Sequence, residues 1–213
     1  NNPITILTFA ASVWGMNDVT HLGIYDIPMM SNIPNLVYLA PTTYEEYIAM
    51  LDWSTEQREH PVAIRVPGAV IHGEKPTKDY GILNKYETVQ KGSGAAIIAL
   101  GTFFGMGKQA AELIEKKTGV KPTLIDPVYI TGIDEELLES LKKNHKAVVT
   151  LEDGILDGGF GEKIARFYGD SDMRTVNFGL KKEFLDRYDA NEVLRQNGIT
   201  PEQIADRAAE LIK

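Results

Sequence analysis

Ala95-Ala96-Ile97-Ile98-Ala99-Leu100, running directly into Gly101-Thr102-Phe103-Phe104-Gly105-Met106-Gly107-Lys108, is the stretch that decides the fold class. A short, wholly apolar run ending at glycine reads as a strand buried on both faces, as in a parallel sheet. After the glycine-rich turn, Met106 to Lys117 places its apolar residues on one helical face. The same alternation continues outward. Thr123 to Ile125 is a strand, and Asp134 to Lys143 a helix with Leu137, Leu138 and Leu141 facing inward. Ala147 to Leu151 is a strand, Gly161 to Tyr168 a helix, Arg174 to Phe178 a strand, and Pro201 to Lys213 a closing helix with proline in its first turn. Upstream, Ile4 to Phe9, Leu36 to Leu39 and Pro61 to Val66 are strand candidates. A capping-box-like Thr42-Thr43-Tyr44-Glu45 opens a helix that runs to about Gln57. Strands alternating with helices give an α/β protein with a mainly parallel sheet.

Between these halves the periodicity fades. Pro67-Gly68 stops the third strand, His72-Gly73-Glu74-Lys75-Pro76 reads as a linker, and Tyr80 to Val89 as an irregular or hairpin-like lead-in. The expected organisation is residues 1–68 as one unit, 69–94 as linker and lead-in, and 95–213 as a second unit. Three strands make half of a doubly wound sheet, so one sheet edge is expected to lack its partners. With the abrupt start at Asn1-Asn2-Pro3, this reads as a piece of a longer protein.

The 213 residues are 43% apolar, enough for a core without staples. There is no cysteine, which excludes disulfides and thiolate chemistry and suits a reducing, cytoplasmic compartment. A net charge of -8 without basic clusters argues against nucleic acid. No apolar run reaches the roughly 20 residues of a membrane span.

Four motifs could carry chemistry. Gly15-Met16-Asn17-Asp18-Val19-Thr20-His21-Leu22-Gly23 follows the first strand, where parallel sheets bind ligands. There His21, with Asn17 and Asp18, can exchange hydrogen bonds with a hydroxylated substrate. The alternative is that His21 caps a helix beginning near Leu22. Arg65, in Ala63-Ile64-Arg65-Val66, is a cation in an apolar strand and needs an anion: a substrate phosphate or an internal Asp or Glu. Gly101 to Lys108 could cradle a phosphate but fits a tight turn better, since it matches no nucleotide fingerprint. Glu152 to Gly161 lacks calcium-loop spacing, and its glycines suit a sharp strand-to-helix turn. Glu152 and Asp153, adjacent at a strand end, point to opposite sides and make a poor acid–base pair. No metal motif is present.

At these motifs the chain resembles the transketolase-like thiamine-diphosphate enzymes, and among them the 1-deoxy-D-xylulose 5-phosphate synthase family. The resemblance rests on the ordered set Asp18-Val19-Thr20-His21-Leu22-Gly23-Ile24-Tyr25-Asp26, Ile33-Pro34-Asn35, Ala40-Pro41, Ile64-Arg65-Val66-Pro67-Gly68, Leu100-Gly101-Thr102, Ile125-Asp126-Pro127, Thr150-Leu151-Glu152-Asp153, Gly158-Gly159-Phe160-Gly161 and Asn177-Phe178-Gly179-Leu180. It implies the second half of a pyrimidine-binding domain with a parallel sheet. A complete transketolase C-terminal domain follows it, mostly parallel and Rossmann-like, in three α/β/α layers. It implies decarboxylative condensation of pyruvate with glyceraldehyde 3-phosphate, thiamine diphosphate and magnesium as cofactors of the whole enzyme, and a homodimer. It casts His21 as catalytic, in proton transfer or hydrogen bonding, Asn17 and Asp18 as substrate-binding, and Arg65 as the holder of the acceptor's phosphate.

Departures matter equally. Where the family has Asp-Gly-Pro-Thr-His, this chain has Asn17-Asp18-Val19-Thr20-His21, and Ala10 stands where the synthase carries a second phosphate-binding arginine. The family's cofactor-activating glutamate and metal–diphosphate motif lie before Asn1, so the chain alone is expected to bind neither thiamine diphosphate nor metal, and to be inactive. Competing readings are the small subunit of a split transketolase, a 2-oxo-acid dehydrogenase beta subunit, or a non-catalytic interaction module.

Overall fold

The computed structural model describes residues 2–66 and 70–213. The expected stop at Pro67-Gly68, and with it the unit boundary, falls outside the described residues. Two sheets organise the rest. The first has β1 (Thr5–Thr8), β2 (Val37–Leu39) and β3 (Val62–Arg65) in the order β1-β3-β2, all parallel. The second has β4 (Glu87–Gln90), β5 (Gly94–Ala99), β6 (Thr123–Asp126), β7 (His145–Ile155) and β8 (Arg174–Leu180) in the order β4-β6-β5-β7-β8. Only the β4–β6 pair is antiparallel. The lead-in thus holds a real strand, β4.

Strand alternation sets the layers. In the second sheet Ile97, Ala99, Val149 and Leu151 pack with α3 (Phe104–Thr118) and α7 (Pro201–Ile212). Their neighbours Ala96, Ile98 and Val148 pack with α4 (Glu135–Leu141) and α5 (Phe160–Tyr168) on the other side. This is the expected three-layer α/β/α arrangement. Gly107 makes it tight, because a Cβ there would lie 2.6 Å from the Ala99 Cβ.

In the first sheet Val62 and Ile64 of β3 join Val37, Leu39 and Met50 of α2 (Tyr44–Glu56). Tyr38, Ala40 and Ala63 instead enter the core of the second unit, beside Ile98, Leu100 and Phe160. The two units therefore share one hydrophobic core. The outer edge of β2 is also covered, since the Ala40 N–H donates to the Val128 carbonyl (2.8 Å) and the Ile130 N–H to the Tyr38 carbonyl (2.7 Å). The outer edge of β1 pairs with no strand among the described residues. Also among the described residues, no helix is long and apolar enough to cross a membrane.

Candidate functional site

Between β1 and α1 (Asp26–Ser31) the chain forms a long loop whose backbone folds onto itself. Ala10, with φ 55°, sits at its root. An added Cβ at Gly15 or Gly23 would come within 2.4 or 1.7 Å of the Ala10 carbonyl oxygen, so these two glycines permit the crossing. His21 lies in a single 3-10 turn, Val19–His21, that Asp18 caps: the Asp18 carboxylate accepts from the Thr20 N–H at 3.0 Å and from the Thr20 hydroxyl. The helix proposed to begin near Leu22 starts at Asp26 instead, so His21 does not cap it. The His21 Nδ1 is 3.2 Å from the same Asp18 oxygen and 2.8 Å from the Thr20 hydroxyl. Its Nε2 makes no hydrogen bond among the described residues, and 57% of the side chain is exposed. Hydrogen bonds from Thr20 first, and from His21 second, hold the Asp18 carboxyl below its ordinary range.

The loop is braced by the far end of the chain. The Asn17 carbonyl accepts from the Arg187 N–H (2.6 Å), and the Asn17 side chain donates to the Tyr188 carbonyl (3.3 Å). The Val19 N–H donates to Asp186 (3.2 Å), and the Tyr188 hydroxyl to the Val13 carbonyl (2.9 Å). Phe9, Met16, Val19 and Phe184 are exposed. Asn17, Asp18 and His21 thus share one surface loop as expected, but Asn17 is engaged with the second unit.

Arg65 lies elsewhere, in the interior. Val62 and Ile64 face α2, so period-two alternation turns Arg65 toward the second unit. There its Nε and Nη2 donate to the two Asp26 oxygens (2.7 and 3.0 Å), and Nη2 also donates to the Asp153 carbonyl (2.8 Å). The side chain is 5% exposed, and the Tyr38 hydroxyl donates to Asp26 as well. Burial alone would lower the Arg65 pKa, but Asp26 and Asp153 outweigh it and the net shift is upward. Of the two partners open to Arg65, the structure selects the internal carboxylate. In this structure the guanidinium is paired with Asp26, so a phosphate on Arg65 would have to share or displace that carboxylate.

Sequence reasoning also missed what Glu152 and Asp153 do. They do point apart, and each docks something. Glu152 accepts the Phe160 and Gly161 N–H groups at the start of α5 (2.7 and 2.8 Å), where a Cβ on Gly159 would lie 2.4 Å from its oxygen. Asp153 accepts the Val13 N–H (2.9 Å) and the Thr102 hydroxyl (2.9 Å). In the second sheet the strand order reverses between β5 and β7, the crevice where open α/β sheets hold ligands. Here the first unit fills it. The signal was available: two carboxylates ending a buried strand need donors.

Burial raises the Glu152 pKa to about 7, against the pull of the Gly161 and Phe160 N–H groups and Arg65. Because the folded state keeps this proton longer than the unfolded chain, the group costs stability as pH rises from about 4.5 to about 7. Glu152→Gln is expected to gain about 3 kcal/mol relative to the parent across that interval. Urea midpoints at both ends check it; parallel curves for parent and variant would refute it.

Similar proteins place this geometry in context. The family model described as "Transketolase, C-terminal domain" matches residues 84–204. Curated proteins named 1-deoxy-D-xylulose-5-phosphate synthase are similar along the whole chain. That of Clostridium perfringens (strain SM101) is 32% identical over 218 residues, and that of Clostridium tetani 30% over 215, each covering 100% of this chain. The matches cover 35% and 34% of those proteins, so the chain spans about a third of their length. Among solved structures, a split-gene transketolase described as an inactive beta4 tetramer superposes with TM-score 0.79 at 21% identity, covering 99% of this chain and 67% of that one. A Pichia stipitis transketolase in complex with a sedoheptulose 7-phosphate ligand superposes with TM-score 0.72 at 18% identity, covering 99% of this chain and 30% of that one.

Proposed function

Since the chain belongs to the transketolase family through its C-terminal domain, we propose that it forms the carboxy-terminal part of a 1-deoxy-D-xylulose-5-phosphate synthase-like enzyme. The reaction is the decarboxylative condensation of pyruvate with an aldehyde acceptor. Thiamine diphosphate with magnesium would supply the carbon–carbon chemistry when bound. Among the described residues no cluster of three or more His, Asp or Glu is present to hold its metal. In this reading the groups that bind it lie in other parts of the enzyme, and the isolated chain is inactive.

The observation that carries the reading is His21. Its Nδ1 is fixed against Asp18 and Thr20, which leaves Nε2 free at the surface, positioned to move a proton or hold a carbonyl oxygen. Asp18 fixes the ring orientation, and Asn17 anchors the loop while its side-chain carbonyl can still accept a substrate hydroxyl. The exposed apolar rim of Phe9, Met16, Val19 and Phe184 around this loop suits self-association in a homodimer.

The acceptor follows from charge. Ala10 offers no guanidinium and Arg65 is committed to Asp26, so neither position supplies a phosphate clamp. The full gene product, with thiamine diphosphate, magnesium and pyruvate, is expected to consume pyruvate in step with aldehyde addition. It should favour glyceraldehyde 3-phosphate over glyceraldehyde by no more than about tenfold in kcat/KM, since about two charge-assisted contacts are missing. Pyruvate consumption that no aldehyde stimulates would overturn the reading, and a much larger preference would restore a phosphate clamp.

A further inference from the structure

A cavity of about 710 Å³ opens at the carboxyl end of β6, walled by the start of α2, the segment around Lys78, and β4. It lies within the size range of small-molecule sites. Its unusual feature is Lys78. The ammonium is buried and has no hydrogen-bond partner among the described residues; the face of Tyr129 lies 5.8 Å away, and the charges of Asp126, Glu87 and Glu46 reach it without a direct bond. A buried cation with three unused donors calls for an anion.

Facing it are carboxylates that call for a cation. Asp126 is 4% exposed and accepts a hydrogen bond from the Val128 N–H (3.0 Å). Burial first, and Glu46 next, push its pKa well above the ordinary carboxyl range, and a cation seated beside it would favour the ionised form. Glu87, on the same wall, has no hydrogen bond or ion pair from its side chain among the described residues, while Glu46 is already capped by the Thr42 N–H (2.8 Å) and hydroxyl (2.6 Å). The acids are not clustered closely enough for a metal. Tyr86 and Phe104 add an apolar wall.

An anion for Lys78, a cation for Asp126 and Glu87, and an apolar surface between them describe one chemistry. We propose that this cavity binds a free α-amino acid with an apolar side chain. Its carboxylate sits on Lys78, its ammonium between Asp126 and Glu87, and its side chain against Phe104 and Tyr86. The site draws on both units and the segment joining them, so occupancy stabilises their packing. It depends neither on His21 nor on thiamine chemistry.

The test uses the intact chain with L-phenylalanine at millimolar concentration, read by calorimetric titration and by the thermal midpoint. Saturable binding and a raised midpoint are expected. Phenethylamine, which lacks the carboxylate, and 3-phenylpropionate, which lacks the ammonium, should each bind about tenfold more weakly or worse. Lys78→Met and Asp126→Asn should each weaken L-phenylalanine by about tenfold or more. Absence of binding overturns the proposal. So does equal binding of either analogue, which would mark a plain cation or anion site. If a variant fails to fold, the analogue comparison on the unsubstituted chain still decides.

Discussion

Arg65→Met is expected to lower the unfolding free energy by about 3–5 kcal/mol, because it leaves the Asp26 carboxylate buried without its cation. The guanidinium satisfies three acceptors at once: both Asp26 oxygens and the Asp153 carbonyl. Losing it leaves the Asp153 carbonyl and one Asp26 oxygen without a donor among the described residues, and the other Asp26 oxygen with only the Tyr38 hydroxyl, in a core that both units share. Asp26→Leu alone should cost a similar amount, by leaving the arginine uncompensated. The double variant Asp26→Leu with Arg65→Met should recover much of the loss, because an apolar pair of similar volume removes both desolvation penalties. Urea unfolding of the four proteins measures this cycle. A single Arg65→Met loss below about 1 kcal/mol, the scale of an exposed ion pair, would show that the pair is not buried in solution.

His21→Ala should do the reverse, costing activity and sparing the fold. The side chain is more than half exposed, and its contacts stay within its own turn. The change in stability is expected within about 0.5 kcal/mol. In the full enzyme, turnover should fall by about 10²–10⁴, the usual contribution of a positioned proton-transfer group. Asp18→Asn should fall less, since the ring keeps Thr20 as a partner, and should shift the pH–rate profile, which a purely structural role would not do. Unchanged turnover in His21→Ala would remove His21 from the chemistry. These two substitutions test separately whether Arg65 holds the structure and whether His21 acts in the chemistry.

The places where sequence reading failed share a cause. β4 is an edge strand whose residues alternate between exposed and half-buried, so it never reads as an apolar run. Its pairing with β6 comes only from the tertiary arrangement. The helix α6 (Ala190–Gln196) escaped for a similar reason: it is seven residues long and buries only Val193 and Leu194, too few to display a period. The short α1 carries a proline, Pro28, and buries only Ile27. Elements seven or more residues long with a continuous apolar face, such as α3, α5 and α7, were legible to within a few residues.

What the sequence determined alone is therefore the local periodicity: the order of the principal strands and helices, and the α/β class. Those properties follow from backbone geometry within a few residues. Tertiary structure alone decided the partners. Asp26 is 39 residues from Arg65, Asp153 is 88 residues from it, and Val13 is 140 residues from the carboxylate that accepts its N–H. A buried charge must be paired, which the sequence does announce. Which charge pairs it depends on elements brought together by a shared core, and no local pattern encodes that.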